Sequence, residues 1–374
     1  MKKAAIALAF VLFASPAYAQ LGRVVGGLNK AKETKDKVDD LHMSEREERQ
    51  LGEKISAMLT DRFGVMQDAA VTKYVTLVGR VLAQASTRPN LQWEFVVLDT
   101  DGVNAYAAPG GFIHITRGML GLIRNEAELA GVLGHEITHV TEAHTKNAIV
   151  KANRTKFAAQ TGTQAAGAGG WTAEAINILA DYGYNMLYEN RYDRKDEIES
   201  DTVGTALANT VGYAPLGMTS VLKKIAERNS GMKEPNGLFA SHPQTEDRIK
   251  EMDKKIKKDK LAATALVQAR YAKNITFDAA PPTAIAMNVA GAKGAVGDTA
   301  APKEQKKEEP KKGNPLSALT KSGGSSSQSS QTVASGGSRG GVPDRDAVGG
   351  PNKSKLRVTV TPAELDAFKK GIAG

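Results

Sequence analysis

The chain has 374 residues, of which 41% are hydrophobic, so it is long enough and apolar enough to form a sizeable core and is not disordered throughout. Cysteine is absent, which excludes disulfide bonds and a cysteine-linked lipid anchor. The net charge of +9 is basic, but with 5% aromatic residues and no recognisable motif, nucleic-acid binding is not predicted.

Residues 1–19 have the pattern of a secretory signal peptide. Two lysines precede an apolar run over residues 4–14, and Ala17 and Ala19 form a small-residue cleavage site before Gln20. The apolar run of about 11 residues is too short to cross a bilayer as a helix, so a membrane anchor is the weaker alternative. Since no later stretch is apolar for long enough, we expect a soluble periplasmic protein that is not a lipoprotein.

The part after the signal predicts helices with a few strands. A Ser-x-x-Glu capping box opens a helix over residues 44–61, and a second periodic run covers residues 69–85. Runs of strand-forming apolar residues predict strands over 93–98 and 111–116. Nearly everything after Asn125 is helical up to the tail, so the predicted fold class is α+β, mostly helical, with a small sheet.

The last hundred residues read as a disordered tail. From residue 279 the chain is dominated by Ala, Gly, Pro, Ser and Lys, which cannot bury enough apolar surface to offset the entropy of ordering. Residues 356–361 alternate like a strand and Pro362 opens a short helix, a tip that is too small to fold alone and is free to dock elsewhere. Residues 279–374 hold 14 Lys and Arg against 8 Asp and Glu, so the basic charge belongs mainly to the tail and predicts peripheral contact with an anionic envelope surface.

One helix carries a motif with the spacing of a zinc site. Asn125 and Glu128 form a helix start, so His135 and His139 lie well inside the helix. Because one turn separates them, the two imidazoles project from the same face, about 6 Å apart along the axis, as two ligands of one tetrahedral zinc require. Glu136 lies beside them, where it can take a proton from the attacking water. The alternative is a pair of exposed histidines on an ordinary helix.

A catalytic zinc site needs a third protein ligand. His144 lies nine residues after His135, which is the opposite face of one continuous helix, so we interpret His144 and Glu142 as solvated surface. Further along, Glu197 and Asp201 are one turn apart in another helical stretch. Glu197 can supply the missing carboxylate while Asp201 reaches the second ring nitrogen of a ligand histidine and fixes its tautomer. By itself, such a pair also fits a solvated charged face.

At these residues the chain resembles the gluzincin metallopeptidases typified by HtpX, periplasmic BepA and the CAAX prenyl protease. The resemblance spans about residues 44–272 and rests on five blocks in family order: residues 104–118, residues 128–139, Arg194 with Glu197 and Asp201, residues 212–215, and residues 241–243 with Arg248. It implies a zincin-type domain in which His135, His139 and Glu197 bind one zinc ion and Glu136 is the general base. Ser200 departs from the family, which usually has Ala there; this small-for-small change leaves the ligand geometry unchallenged.

The resemblance also implies two outer parts of the site. Gly111, Phe112, Ile113 and His114 look like the family's edge strand, whose backbone would bind substrate as an added antiparallel strand. An ordinary buried strand is the alternative. His242 looks like a family residue near the metal that donates to the oxyanion or caps the zinc in a resting state, against a structural histidine before a proline.

The predicted organisation has five parts. They are a signal peptide at 1–19, an N-terminal lead-in at 20–43, a zinc metallopeptidase domain at 44–278, a disordered linker at 279–355, and a strand–helix tail tip at 356–374. Within the domain, the Gly- and Ala-rich stretch at 162–171 is either a mobile lid or a plain linker.

These features predict a zinc-dependent endopeptidase of the cell envelope that hydrolyses polypeptides. The resemblance implies substrates such as misfolded envelope proteins and a role in envelope or outer-membrane protein quality control. The alternative is a zinc-bound chaperone or assembly factor whose peptidase activity is latent, with a histidine such as His242 in the position of the attacking water.

Overall fold

The computed structural model of the chain describes residues 43–161, 166–167, 170–189, 192–228, 230, 245–281 and 352–372. The predicted signal peptide and most of the predicted linker lie outside these residues. None of the described helices combines the length and the apolar character that a membrane span requires.

The described part is mostly helical with a small sheet, which confirms the predicted fold class. In chain order the elements are α1 (Glu45–Phe63), α2 (Ala69–Ala85), β1 (Glu94–Leu98), β2 (Ala105–Ala108), β3 (Phe112–Thr116), α3 (Arg117–Leu122), α4 (Glu126–Thr141), α5 (His144–Thr161), β4 (Ala166–Gly167), β5 (Gly170–Trp171), α6 (Ala173–Glu189), α7 (Arg194–Thr210), α8 (Gly217–Arg228), α9 (Thr245–Lys258), α10 (Gln268–Asn274) and α11 (Pro362–Lys370). The predicted helices at 44–61 and 69–85 and the predicted strands at 93–98 and 111–116 are all present, each within two residues of its predicted ends.

The chain divides into two compact units, of which the smaller comprises residues 1–44 and 154–172. Its described part contains the end of α5 and the antiparallel pair β4–β5. Most of the stretch 162–171 lies outside the described residues, so the alternatives of lid and linker both stay predictions. The larger unit holds the rest of the chain and all the features below.

The three-stranded sheet has the order β1–β3–β2, with β3 parallel to β1 and antiparallel to β2. The prediction that residues 111–116 form an edge strand is therefore wrong, and the alternative of a buried strand is correct. The strand on the other side, β2, consists of four buried residues that place Ala107 opposite Ile113. The hairpin between them turns at Gly110 and Gly111, whose φ angles of 72° and 96° favour glycine.

Helix α4 runs through the core and is held at its first turn. The Asn125 side chain caps it, as predicted, by accepting a backbone N–H. Glu126 is fully buried and accepts hydrogen bonds from the hydroxyls of Tyr74 and Tyr213. It also forms an ion pair with Arg270. Because these partners come from α2, the segment before α8 and α10, one carboxylate fixes the start of α4 against three parts of the chain.

Helix α7 packs along α4 with direct backbone contact. The contact lies at Gly134 on α4 and Gly204 on α7, where a Cβ atom on Gly204 would be 2.7 Å from the carbonyl carbon of Gly134 and 2.7 Å from the backbone nitrogen of His135. No side chain fits at that distance, so the two glycines let these helices approach more closely than ordinary residues permit.

The C-terminal segment docks on the larger unit. Its helix α11 starts with a capping box at Thr361 and packs on α2, where Leu365 is buried and Lys73 forms an ion pair with Glu364. Phe368 packs edge-on against Tyr74. The predicted tail tip is therefore part of the folded protein.

Residues 352–361, which precede α11, form no strand in the described structure, contrary to the prediction for 356–361. The outer side of β1 already pairs with the chain at Val65 and Met66, through a bridge between Val65 and Leu98 and a bond from Met66 N to the Val97 carbonyl. The backbone of the C-terminal segment therefore pairs with Val65 and not with β1. The carbonyl of Asn352 accepts a hydrogen bond from the backbone N–H of Val65.

Replacing Gly204 by Ala tests the α4–α7 contact. The added methyl group has to push the helices apart, so we expect a loss of roughly 1–3 kcal/mol in the free energy of unfolding and weaker metal binding. Urea denaturation and metal titration measure the two effects. Gly102→Ala is the control, because the nearest atom to a Cβ there is 3.6 Å away; equal effects of the two substitutions would contradict the interpretation.

Candidate metal centre

The two motif histidines lie deep in the protein. His135 and His139 are 1% and 0% exposed, which excludes the alternative of exposed surface histidines. Their Nε2 atoms are 3.1 Å apart on one face of α4. Two imidazoles packed this closely, each with a nitrogen facing the other, suit a shared cation better than a hydrogen bond between them.

Glu197 of α7 faces the same point. Its two carboxylate oxygens lie 3.5 Å from His139 Nε2 and 3.8 Å from His135 Nε2. Ligand atoms that surround a tetrahedral zinc at about 2.0–2.1 Å lie roughly 3.3 Å from one another. Two imidazole nitrogens and one carboxylate are also a usual ligand set for zinc. The donor set and its spacing fit the predicted ion.

A buried ion-pair network holds Glu197 and Asp201 in place. Arg248 of α9 is fully buried and donates from Nε and Nη2 to the carboxylate of Asp201, at 2.6 and 2.7 Å. Its Nη1 atom lies 2.9 Å from Glu197. Sequence reasoning placed Arg248 in a family block without assigning it a role. The structure shows that it orients Glu197 and Asp201 together.

Asp201 lies 2.9 Å from His135 Nδ1. Burial alone would raise the pKa of Asp201, but the charge and hydrogen bonds of Arg248 hold that pKa below its usual range. Burial opposes the charged form of His135, yet the hydrogen bond that His135 donates to Asp201, with the charge of that carboxylate, raises the pKa of His135 overall. The ionised carboxylate accepts the Nδ1–H of the ring, which leaves the Nε2 lone pair turned toward His139 and Glu197.

His144 is buried against His139, so its interpretation as solvated surface is wrong. It is 6% exposed, and its Nδ1 atom lies 3.2 Å from His139 Nδ1 and 3.2 Å from the Ser200 hydroxyl. The sequence-based prediction placed His144 on the opposite face from His135 because it assumed one continuous helix. In the structure α4 ends at Thr141 and α5 begins at His144. Between them Ala143 has φ 58°, a left-handed conformation that no glycine or proline signals in the sequence.

Tyr192 covers the other side of His139. The two rings stack with centroids 4.0 Å apart. The Tyr192 hydroxyl lies 2.7 Å from the Thr145 hydroxyl, which donates to the Ala107 carbonyl of β2. Burial raises the pKa of Tyr192 well above its ordinary value, so the phenol remains protonated. This contact joins the histidine helix to the sheet, and nothing in the local sequence indicated it.

Glu136, the predicted general base, is fully buried beside these groups. Its negative charge raises the pKa of both Arg248 and Tyr192, which indicates that it lies near both. The structure thus brings together His135, Glu136, His139, Glu197 and Asp201 from two helices.

The predicted outer residues are not part of this cluster. His114 lies on the central strand, fully buried, with its Nε2 atom 2.8 Å from the Ser56 hydroxyl of α1. Gly111, Phe112 and Ile113 are also buried, and β3 pairs with strands on both sides. His242 lies outside the described residues, so its role stays a prediction.

Comparison with known proteins bears on the same residues. Residues 69–256, half of the chain, match peptidase family M48. The chain belongs to this family. M48 metallopeptidases are zinc-dependent, and the ligand set described above agrees with that metal.

Several relatives share about a quarter of their residues with the matched part of this chain. The putative beta-barrel assembly-enhancing protease of Vibrio cholerae is 26% identical over 242 residues, which is 61% of this chain and 50% of that protein. The beta-barrel assembly-enhancing protease of Escherichia coli K12 is 24% identical over 209 residues, 54% of this chain and 42% of that protein. The mitochondrial metalloendopeptidase OMA1 of Schizosaccharomyces pombe is 24% identical over 182 residues, 49% of this chain and 52% of that protein. The chain thus spans about half the length of these M48 relatives or less.

Asp201→Asn tests the orientation of His135. The amide carries no charge and pairs poorly with Arg248, so the His135 ring is held less firmly and we expect zinc affinity to fall about 10–100-fold. Competition with a chromophoric chelator measures the affinity, and circular dichroism checks that the variant folds. Asp181→Asn, on the exposed face of α6, is the control. Unchanged affinity in Asp201→Asn would rule out the orienting role.

His114 should make the protein sensitive to acid. Burial, with a smaller contribution from the charge of Lys355, lowers the pKa of His114 to about 3. Below the ordinary pKa of about 6.5, His114 therefore binds a proton in the unfolded chain but not in the folded protein. The free energy of unfolding decreases as the pH is lowered. Between pH 7 and pH 5 this group alone should cost about 2 kcal/mol.

Urea denaturation of the metal-free protein at the two pH values measures this loss. In His114→Gln, which lacks the titrating ring, the loss of stability between pH 7 and pH 5 should be smaller by about that amount. The same loss in both proteins would show that His114 is not responsible.

Proposed function

We propose that the chain is a zinc-dependent endopeptidase of the cell envelope, with His135, His139 and Glu197 holding one zinc ion. The observation that carries this proposal is the spacing of their ligand atoms, 3.1 to 3.8 Å, in a fully buried cluster. Formal charge supports it too. Among the described residues of this interior, Glu136, Glu197 and Asp201 oppose one cation, Arg248, and a divalent ion would balance the remaining charge when all three carboxyl groups are ionised.

Each protein group then has a distinct task. A bound zinc ion supplies Lewis-acid chemistry, which polarises the scissile carbonyl and makes water more acidic. Glu136 accepts the proton of the attacking water and passes it to the amine of the leaving peptide. Asp201 and Arg248 are positioning residues, because they act through their contacts with His135 and Glu197.

The position of the substrate needs revision from the sequence-based expectation. The backbone of β3 is paired on both sides, so it has no free edge for a peptide. Of the two edge strands, β1 is covered by residues 65–66, whereas β2 lies against α4 and is linked to His139 through Thr145 and Tyr192. We therefore assign the substrate backbone to the outer side of β2.

The names of the relatives suggest which substrates this protein acts on and in which compartment. Two of those compared are named beta-barrel assembly-enhancing proteases, which favours polypeptide substrates from the outer-membrane assembly route, such as misfolded envelope proteins. With that setting we propose export by residues 1–19 to the periplasm, a metallopeptidase domain at 44–278 and a basic linker at 279–355 that contacts the envelope surface.

One observation favours the second candidate, a zinc-bound assembly factor with latent activity. His135, Glu136, His139 and Glu197 are each at most 1% exposed, so a peptide reaches them only after some part of the protein moves. A closed centre of this kind fits an enzyme that is inactive at rest, and His242 is our candidate for a residue that holds it closed.

Glu136→Gln separates the two functions. The amide keeps the shape of the side chain but cannot accept a proton, so casein hydrolysis should fall by a factor of at least about 100 while zinc content is unchanged. Atomic absorption and a fluorescent casein assay measure the two quantities. Glu174→Gln, exposed on α6, is the control and should behave as wild type. If Glu136→Gln digests casein as fast as wild type, the peptidase proposal is wrong.

A further inference from the structure

A second set of metal-type ligands lies next to the first. His144 Nε2 is 3.4 Å from a carboxylate oxygen of Glu199 and 3.9 Å from one of Asp196, and the three candidate ligand atoms lie within 4.8 Å of one another. These separations exceed the 2.7–3.2 Å typical of an N–H···O hydrogen bond. They resemble the separations of 3.1 to 3.8 Å within the first cluster and the roughly 3.3 Å expected around a shared zinc.

The surroundings of this set suit a cation. The imidazole of His144 is nine-tenths buried and directs Nε2 at the two carboxylates, which are 26% and 42% exposed on the first turns of α7. Asp196 and Glu199 lie three residues apart on that helix, where two like charges repel. Asp193 adds a further negative charge nearby and Lys195 a positive one. A divalent ion can enter from the exposed side and retain water ligands.

The hydrogen-bond geometry couples this set to the first cluster. When His139 binds a metal through Nε2, its proton is on Nδ1, which is 3.2 Å from His144 Nδ1. His144 then accepts at Nδ1 and carries its own proton on Nε2, facing Glu199. A cation on His144 Nε2 displaces that proton to Nδ1, where two N–H groups would face each other. The Ser200 hydroxyl, 3.2 Å away, can accept the displaced N–H, but His139 loses its acceptor.

We propose that His144, Asp196 and Glu199 form a second site for a divalent cation of the zinc type, and that its occupation weakens metal binding at His135, His139 and Glu197. The coupling part of this inference rests on the proposed function, while the second site itself does not. The coupling is reciprocal, so metal in the first cluster lowers the affinity of the second by the same factor.

Zinc titration of the full-length, chelator-stripped protein tests the second site. Isothermal titration calorimetry should give two sites in wild type, one tight and one weaker. The double variant Asp196→Asn/Glu199→Gln should retain the tight site only. The matched control, Glu174→Gln/Asp181→Asn, removes two exposed acidic groups from α6 and should keep both sites. A single site in wild type, or two sites in Asp196→Asn/Glu199→Gln, would overturn the proposal and leave His144 and Glu199 as an ion pair.

The affinity of the second site with and without the first tests the coupling. In His135→Ala, which removes one ligand of the first cluster, the second site should bind zinc roughly tenfold more tightly than it does in wild type with the first site filled, a factor within the usual range of coupling between sites. Equal second-site affinities in the two proteins would overturn the coupling. If wild type with zinc in the tight site does not hydrolyse casein, the proposed function fails, while the calorimetric count of sites still decides the second site.

Discussion

The backbone contact between α4 and α7 is the constraint on which the proposed metal centre depends. One helix supplies two imidazoles and the other supplies a carboxylate, and an ion with ligand distances of about 2 Å tolerates little error in the distance between the helices. Gly134 and Gly204 set that distance, since no side chain lies between them. This contact positions both helices' ligand residues. His135 lies directly beside it, and Glu197 lies about two turns away along α7.

Electrostatics then determine how the buried ligands are oriented. An unpaired carboxylate in this interior would be protonated or would destabilise the fold, and Arg248 prevents both for Asp201 and Glu197. The two ligand histidines are held differently. His135 has a carboxylate at its second nitrogen, whereas His139 has the Nδ1 atom of His144 at its second nitrogen. His139, which has no carboxylate at its second nitrogen, is therefore the ligand through which a second cation on His144 can act.

Local rules predicted the helices and the motif but not the contacts between distant segments. Asn125 and the spacing of His135 and His139 fixed the cap and the shared face, because both depend on a few adjacent residues. The position of β3 in the sheet depends on β2, whose four residues show no clear strand pattern. His144 was misplaced because a left-handed alanine at 143 ends one helix without any sequence signal. Arg248 and Tyr192 reach the site from separate segments, which no local pattern reveals.

The docked C-terminal helix has a consequence for the order of folding. Its ion pair joins Lys73 to Glu364, 291 residues apart, across a linker of some seventy residues, so forming it closes a very long loop. The entropic cost of closure grows only with the logarithm of loop length, but the search is slow compared with contacts inside α1 to α10. The exposed parts of α2 and α10 that α11 covers must therefore wait until residues 352–372 have left the ribosome. Until then the side of Tyr74 that Phe368 contacts is uncovered, so a chain that is still being synthesised exposes apolar surface that the finished protein does not.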